Sequence, residues 1–306
     1  MPTSRSESLT LPSSRAFHSW WLASRPKTLV ASFVPVIVAS SLAFRSGHFS
    51  LSVAMLCLLC SLGLQVACNY INDASDFKRG ADTQERIGPI RMAQSGAISA
   101  RGLYIGAGIA LGFSFLIGLY LVVIGGPLFL AIGLASILAA IAYTAGPFPL
   151  AYLGLGDFFV FIFFGLAAIC GGYFLQAQAC DKIVIAIAAA LGLLATSIIA
   201  VNNIRDIPTD TRAGKRTLAV RLGRNASNFY YLALLVGSYA LVAALCFFRT
   251  IPIFSLFCFL AFPGAVILAK KIFSAKNAAE FNALLEGSAK HQLFFSGLLS
   301  LGIACG

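Results

Sequence analysis

A chain of 306 residues that is 59% hydrophobic and only 11% charged excludes an ordinary soluble domain, in which about 25% of residues are charged. Its net charge of +11, on so apolar a chain, belongs to loops that orient a membrane protein, and no nucleic acid partner is expected.

In chain order, residues 1–17 are polar and Ser/Thr-rich and are expected to form a disordered tail, followed by one domain over 18–306. The first apolar run contains Pro35 and has no small-residue cleavage site, so a removed signal peptide is not expected. Apolar runs between charged or Pro/Gly breaks predict nine spans, at 28–44, 51–72, 103–124, 127–143, 157–177, 183–204, 229–247, 253–269 and 291–305. Backbone polar groups in lipid must be satisfied within their own segment, so these runs are helices. The expected fold is an all-α integral membrane protein with nine transmembrane helices.

Nine alternating spans divide the 22 Lys and Arg residues very unevenly, with only Arg45, Lys182 and Arg249 on one side. By the positive-inside rule the N-terminus is cytoplasmic. Ten of the eleven acidic residues fall on the same side, and only Asp181 lies opposite. Acidic residues contribute little to orientation, so their clustering points to function. The eight cysteines lie in or beside apolar runs with no disulfide framework, and Cys57 and Cys60 read as small packing residues. His18, His48 and His291 read as interfacial residues.

The second span ends in a segment from Asn69 to Asp82, in which Asn69, Asn72, Asp73 and Asp76 share one helical face if the helix continues. The sixth ends in Asn202, Asp206 and Asp210 at steps of four, with Pro208 predicting a break or kink. Spans two and six run in parallel, so the two acidic sets confront each other at one face. Carboxylates that close repel unless a cation joins them. Hard oxygen donors suit Mg²⁺ shared with substrate phosphates, and Lys78, Arg79, Arg205, Lys215 and Arg216 flank the sets to take the remaining phosphate charge. No glycine-rich phosphate loop or zinc spacing competes with this reading.

These motifs resemble the UbiA superfamily of intramembrane prenyltransferases from about Trp20 onward. The resemblance implies nine helices around a central cavity open sideways to lipid, in the cell (inner) membrane with the site facing the cytoplasm. It implies metal-binding roles for Asn72, Asp76 and Asp82 in the first motif and Asp206 and Asp210 in the second, with Asp73 beside them. Further likeness lies in Arg25-Pro26-Lys27-Thr28, Asn72-Asp73-x-x-Asp76, Arg86-Ile87-Gly88-Pro89-Ile90-Arg91, Tyr143-Thr144-x-Gly146-Pro147, Gly154-Leu155-Gly156-Asp157 and Asn203-Ile204-Arg205-Asp206. Gly80, where the 4-hydroxybenzoate branch typically carries Asp, and the acid at Asp82 point to the branch that prenylates 1,4-dihydroxy-2-naphthoate.

The implied reaction transfers an all-trans polyprenyl group from its diphosphate to the naphthoate with loss of CO₂, giving demethylmenaquinone. Asn72, Asp76, Asp206, Asp210 and Tyr143 are then the catalytic candidates, and Lys27, Lys78, Arg79, Arg86, Arg91, Arg205 and Lys215 the substrate-binding ones. Arg86 and Arg91 are candidates for the acceptor carboxylate. Tyr143 and the aromatic residues of 158–164 are candidates to shield an allylic cation. Asp157 is either a further site carboxylate or a helix cap. The alternatives are another aromatic acceptor such as 4-hydroxybenzoate or, in a different class, an ion-coupled transporter, whose acids are expected near the bilayer midplane rather than at helix ends.

Overall fold

A computed structural model describes residues 13–80, 91–146 and 149–306, and the regular structure among them is helical. In order, the helices are α1 (Ser13–Ala23), α2 (Pro26–Arg45), α3 (Leu51–Lys78), α4 (Ala100–Gly125), α5 (Pro127–Ala142), α6 (Gly156–Ala177), α7 (Lys182–Arg205), α8 (Ile207–Arg212), α9 (Leu218–Phe247), α10 (Ile253–Ser274) and α11 (Ala278–Ala304). A π-helical segment, Phe161–Ala167, lies inside α6, and α10 opens with the 3₁₀ segment Ile253–Ala261.

Seven of the described helices are long and apolar enough to cross a membrane: α2, α3, α4, α6, α7, α9 and α10. The eighth apolar run, α5, has 16 residues. The last, α11, has 27 residues but carries Glu280, Glu286 and Lys290. On α4, Ile109, Leu116 and Val123 recur every seven residues and are exposed, Val123 at 81%. That spacing keeps one stripe of the helix facing outward.

Several helices overrun their predicted limits, because caps rather than hydropathy set helix ends. The Asn277 side chain accepts from Glu280 N at 3.0 Å while Glu280 accepts from Lys276 N at 2.6 Å, so α11 begins well before 291. His291 is therefore not interfacial: it is buried mid-helix, 3.3 Å from the Tyr239 hydroxyl. It belongs to a buried polar row on α11 with Ser288, Gln292, Ser296 and Ser300. Residues 13–17, expected in the disordered tail, are helical in α1. Trp20 fastens that helix by packing edge-on against Tyr70, over Gly106, where a Cβ would meet the indole at 2.6 Å.

The main core joins α2, α6, α7, α9, α10 and α11 around Ile169, Ile187, Leu191, Tyr231, Leu284 and Phe295. The backbones of α6 and α7 approach closely. A Cβ on Gly165 would lie 2.6 Å from the Gly192 Cα, so only glycine fits this crossing. All eight cysteines are free, and Cys60 packs against α4 with its thiol 3.5 Å from the Ser114 carbonyl.

Candidate active site where two acidic helix ends meet

The polar end of α3 remains helical past residue 72 as far as Lys78. Asn69, Asn72, Asp73 and Asp76 are all buried on one face, as their spacing predicts. Gly80 closes the helix with φ +67°, a left-handed conformation that favours glycine. Asp82 and Arg86 lie outside the described residues, as does the Lys27 side chain.

The four side chains take different partners. Asn69 Nδ2 donates to Ser24 O at 2.8 Å and to Thr28 Oγ1 at 3.0 Å, tying α3 to the start of α2. Thr144, just beyond α5, donates its hydroxyl to Asn72 Oδ1. Asp73, 1% exposed, accepts from Met92 N at 3.0 Å and Ala93 N at 3.2 Å. Both its oxygens thus anchor the connection to α4, which sets it apart from the metal role expected of it. Asp76 pairs with Arg91 at 3.0 Å, and the Tyr152 hydroxyl lies 3.5 Å from its other oxygen. Arg91, expected at the acceptor carboxylate, is here the partner of a site carboxylate, because a buried guanidinium takes the nearest anion.

The second acidic set kinks at Asp206, as Pro208 predicts. Proline is tolerated in the first turn of α8, where backbone N–H groups have no intrahelical partner. The register continues nevertheless: Asp206 N donates to Asn202 O at 3.1 Å and Asp210 N to Asp206 O at 2.7 Å. Arg205 grips the Asp206 carboxylate with Nε and Nη2, both at 2.7 Å, and also donates to Asn202 and Asn282 at 2.8 Å. These contacts hold the residue, expected to take phosphate charge, against side chains at the end of α7 and on α11. Lys215 Nζ stands 3.5 Å from Asp210 Oδ1. The other oxygen, Oδ2, is buried and has no hydrogen-bond partner. Burial pushes the Asp210 carboxyl up to about 6, against the pull of Lys215, and the like charges of Asp206 and Asp76 add to the rise.

Tyr143 is partly buried with its hydroxyl against Gly156, where a Cβ would meet it at 3.0 Å. Asp157 beside it is buried and accepts from Asn203 Nδ2 at 3.1 Å, linking α6 to α7. Phe158 is 58% exposed, and Phe161 packs on Gly192. Lys78 is exposed, its ammonium 4.6 Å above the Tyr104 ring. Arg79 donates to the Gly146 carbonyl and lies over Tyr152.

Sequence reasoning passed over three contributors. Thr144 and Tyr152 both reach the carboxylate face from the α5–α6 connection. Arg25, before Pro26, has a left-handed backbone at φ 52° and a buried Nη2 without a hydrogen-bond partner. Burial lowers its pKa, while Asp73 and Asp76 hold it up. The dipeptide Arg25-Pro26 was the only signal for it.

Among the described residues no three His, Cys, Asp or Glu side chains converge into a ready-made metal cage. The donor set nevertheless fits a divalent cation shared with substrate. Mg²⁺ needs only one or two carboxylates when phosphates and water complete its shell, and the unpartnered Asp210 Oδ2 is a buried, hard oxygen.

Residues 32–297 match the UbiA prenyltransferase family. The chain is 38% identical over 300 residues to the 1,4-dihydroxy-2-naphthoate octaprenyltransferase of Haemophilus influenzae, covering 94% of this chain and 96% of that protein. It is also 38% identical to the Escherichia coli enzyme of the same name, over 92% and 94% of the two chains. Its fold is similar to that of a UbiA homolog from Archaeoglobus fulgidus bound to GPP and Mg²⁺, with TM-score 0.62, 19% identity and coverage of 92% and 99%.

Proposed function

The chain belongs to the UbiA prenyltransferase family, and from that premise we propose that it transfers an all-trans polyprenyl group from its diphosphate to 1,4-dihydroxy-2-naphthoate, releasing CO₂ and giving demethylmenaquinone. The observation that carries this reading is the near full-length match, at 38% identity, to enzymes named for that reaction. Acids at helix ends rather than mid-membrane disfavour the transporter alternative.

Asp76 and Asp210 would hold Mg²⁺, with Asn72 and Asp206 beside them and Asp82 as a further ligand. Bound there, the ion supplies charge stabilisation to the departing diphosphate. The family member from Archaeoglobus fulgidus bound to GPP and Mg²⁺ supports this metal. The chain's own residues then do the rest. Arg79 and Lys215 supply charge-assisted donors to diphosphate oxygens, with Lys27 on the same side. Arg91 and Arg205 fix the carboxylates of Asp76 and Asp206. Arg86 is the candidate for the acceptor carboxylate. Tyr143, between the acidic sets and Asp157, is a water-excluding wall with an electron-rich face.

Counting α5 and α11 with the seven helices that are long and apolar enough to cross gives nine spans around a central cavity. The positive-inside rule then sets the N-terminus and the site on the cytoplasmic side of the cell (inner) membrane. The test is direct: purified protein with Mg²⁺, a polyprenyl diphosphate and dihydroxynaphthoate should yield demethylmenaquinone by mass spectrometry. Folded protein that prenylates 4-hydroxybenzoate and leaves the naphthoate untouched would overturn the acceptor assignment.

A further inference from the structure

Tyr152 touches both acidic segments. Its hydroxyl is 3.5 Å from Asp76 Oδ1 on α3. The Arg79 guanidinium, from the same helix end, lies 5.1 Å from its ring centroid. The Lys215 ammonium, from beyond α8, lies 5.7 Å from the same centroid while facing Asp210. One aromatic ring therefore carries a cation from each half of the site.

The loop that bears this ring is seated through its backbone. Tyr152 O accepts from Arg216 N at 3.0 Å, and Leu153 O accepts from Arg221 Nη2 at 2.7 Å. Gly154, at φ +76°, approaches so closely that a Cβ would lie 2.8 Å from the Arg216 carbonyl. None of these contacts uses the Tyr152 side chain. A ring that contributes so little to seating its own loop, yet gathers two cations, has a role beyond packing.

We propose that Tyr152 is a positioning residue of the donor site: its ring holds Arg79 and Lys215 together between the two acidic segments, so that a diphosphate meets cations from both at once. This rests on the prenyl-diphosphate reading of the site. A ring face attracts a cation less strongly than a phosphate oxygen does, so both side chains are held in place yet free to transfer to the ligand. Without the ring, Arg79 keeps only its bond to the Gly146 carbonyl and Lys215 only its pair with Asp210, so neither is oriented toward the gap between the segments and the affinity of the ligand falls.

The experiment uses the full chain in lipid nanodiscs and measures Mg²⁺-dependent binding of farnesyl diphosphate alongside steady-state kinetics. Tyr152→Leu should raise the Kd and the donor KM by about tenfold, the loss of two moderate cation–ring contacts, with the acceptor KM within about twofold. Tyr152→Phe keeps the ring and should retain most of the binding. Combined with Lys215→Met, Tyr152→Leu should cost less than it does alone, because part of its effect runs through Lys215. A folded leucine variant with unchanged donor Kd overturns the proposal, as do equal losses for donor and acceptor, a phenylalanine variant as weak as leucine, or full additivity with Lys215→Met. If the leucine variant does not fold, Tyr152→Met fills similar space without an aromatic face and is judged by the same criteria. If unaltered protein fails to bind farnesyl diphosphate with Mg²⁺, the donor reading itself falls; binding that is normal in both it and the leucine variant removes only the role of Tyr152.

Discussion

The Thr144 hydroxyl donates to the Asn72 side-chain carbonyl, joining the end of α5 to the acidic face of α3 across 72 positions of sequence. The bond fixes which way the Asn72 amide points, with its Nδ2 toward Cys68 Sγ at 3.8 Å. Partners of this kind typically change metal affinity or activity about tenfold or more when removed. Thr144→Val should therefore lower turnover and raise the Mg²⁺ concentration needed for half-maximal rate, while Thr144→Ser stays close to the parent. A magnesium titration of the rate compares the two.

Asp76 and Asp210 should respond alike, as metal-site carboxylates. Asp76→Ala or Asp210→Ala should abolish turnover while the protein remains inserted and monodisperse in size-exclusion chromatography. Each should also lose the rise in melting temperature that Mg²⁺ with a prenyl diphosphate gives the parent, since a ligand that binds only the folded state stabilises it. Chelation with EDTA should reproduce both losses in the parent and be reversed by Mg²⁺.

Asp73 should behave differently from its neighbour three positions on. Its two backbone hydrogen bonds hold Met92 and Ala93, and hydrogen bonds to a charged group contribute about 1.5–3 kcal/mol each. Asp73→Ala should lower the melting temperature markedly. At a temperature where the variant is folded, its magnesium dependence should match the parent's. A shifted magnesium dependence would assign Asp73 to the metal.

The α6–α7 crossing permits a ranking. Gly192→Ala meets the Phe161 ring at 2.9 Å, which can turn aside, and the Phe161 carbonyl at 3.1 Å, whereas Gly165→Ala meets backbone at 2.6 Å. Overpacking of this kind costs about 1–3 kcal/mol. Gly165→Ala should melt lower than Gly192→Ala in the same detergent, and the reverse order would contradict the crossing described.

Much of this was legible in the residues themselves. Long apolar runs must be helical in lipid, so the order of the helices could be read directly. Their ends could not, because the stretch from Asn72 to Lys78 looks like loop by hydropathy and is helix because its polar face meets Arg91, the Met92 and Ala93 amides, and Thr144. The chemical character of the site was readable in the same way, from two Asn/Asp sets at helical spacing. Pairing was not. Spacing along the chain does not reveal that Arg205 folds onto its own neighbour Asp206, or that Asp73 is spent on backbone amides. Nor does it reveal that Tyr152 spans the gap, since each depends on contacts between distant segments.

The polar row on α11 bears on how the protein is made. Ser288, His291, Gln292, Ser296 and Ser300 face the bundle, and Glu280, Glu286 and Lys290 add charge in the first half of the helix. Translated after α9, such a segment partitions poorly into lipid by itself. Its burial draws on surfaces presented by earlier helices, among them Tyr231 and Tyr239 of α9, which bond Ser288 and His291. The α11 helix thus takes its place by docking onto a partly assembled bundle, and a nascent chain whose α9 is misplaced has no seat to offer it.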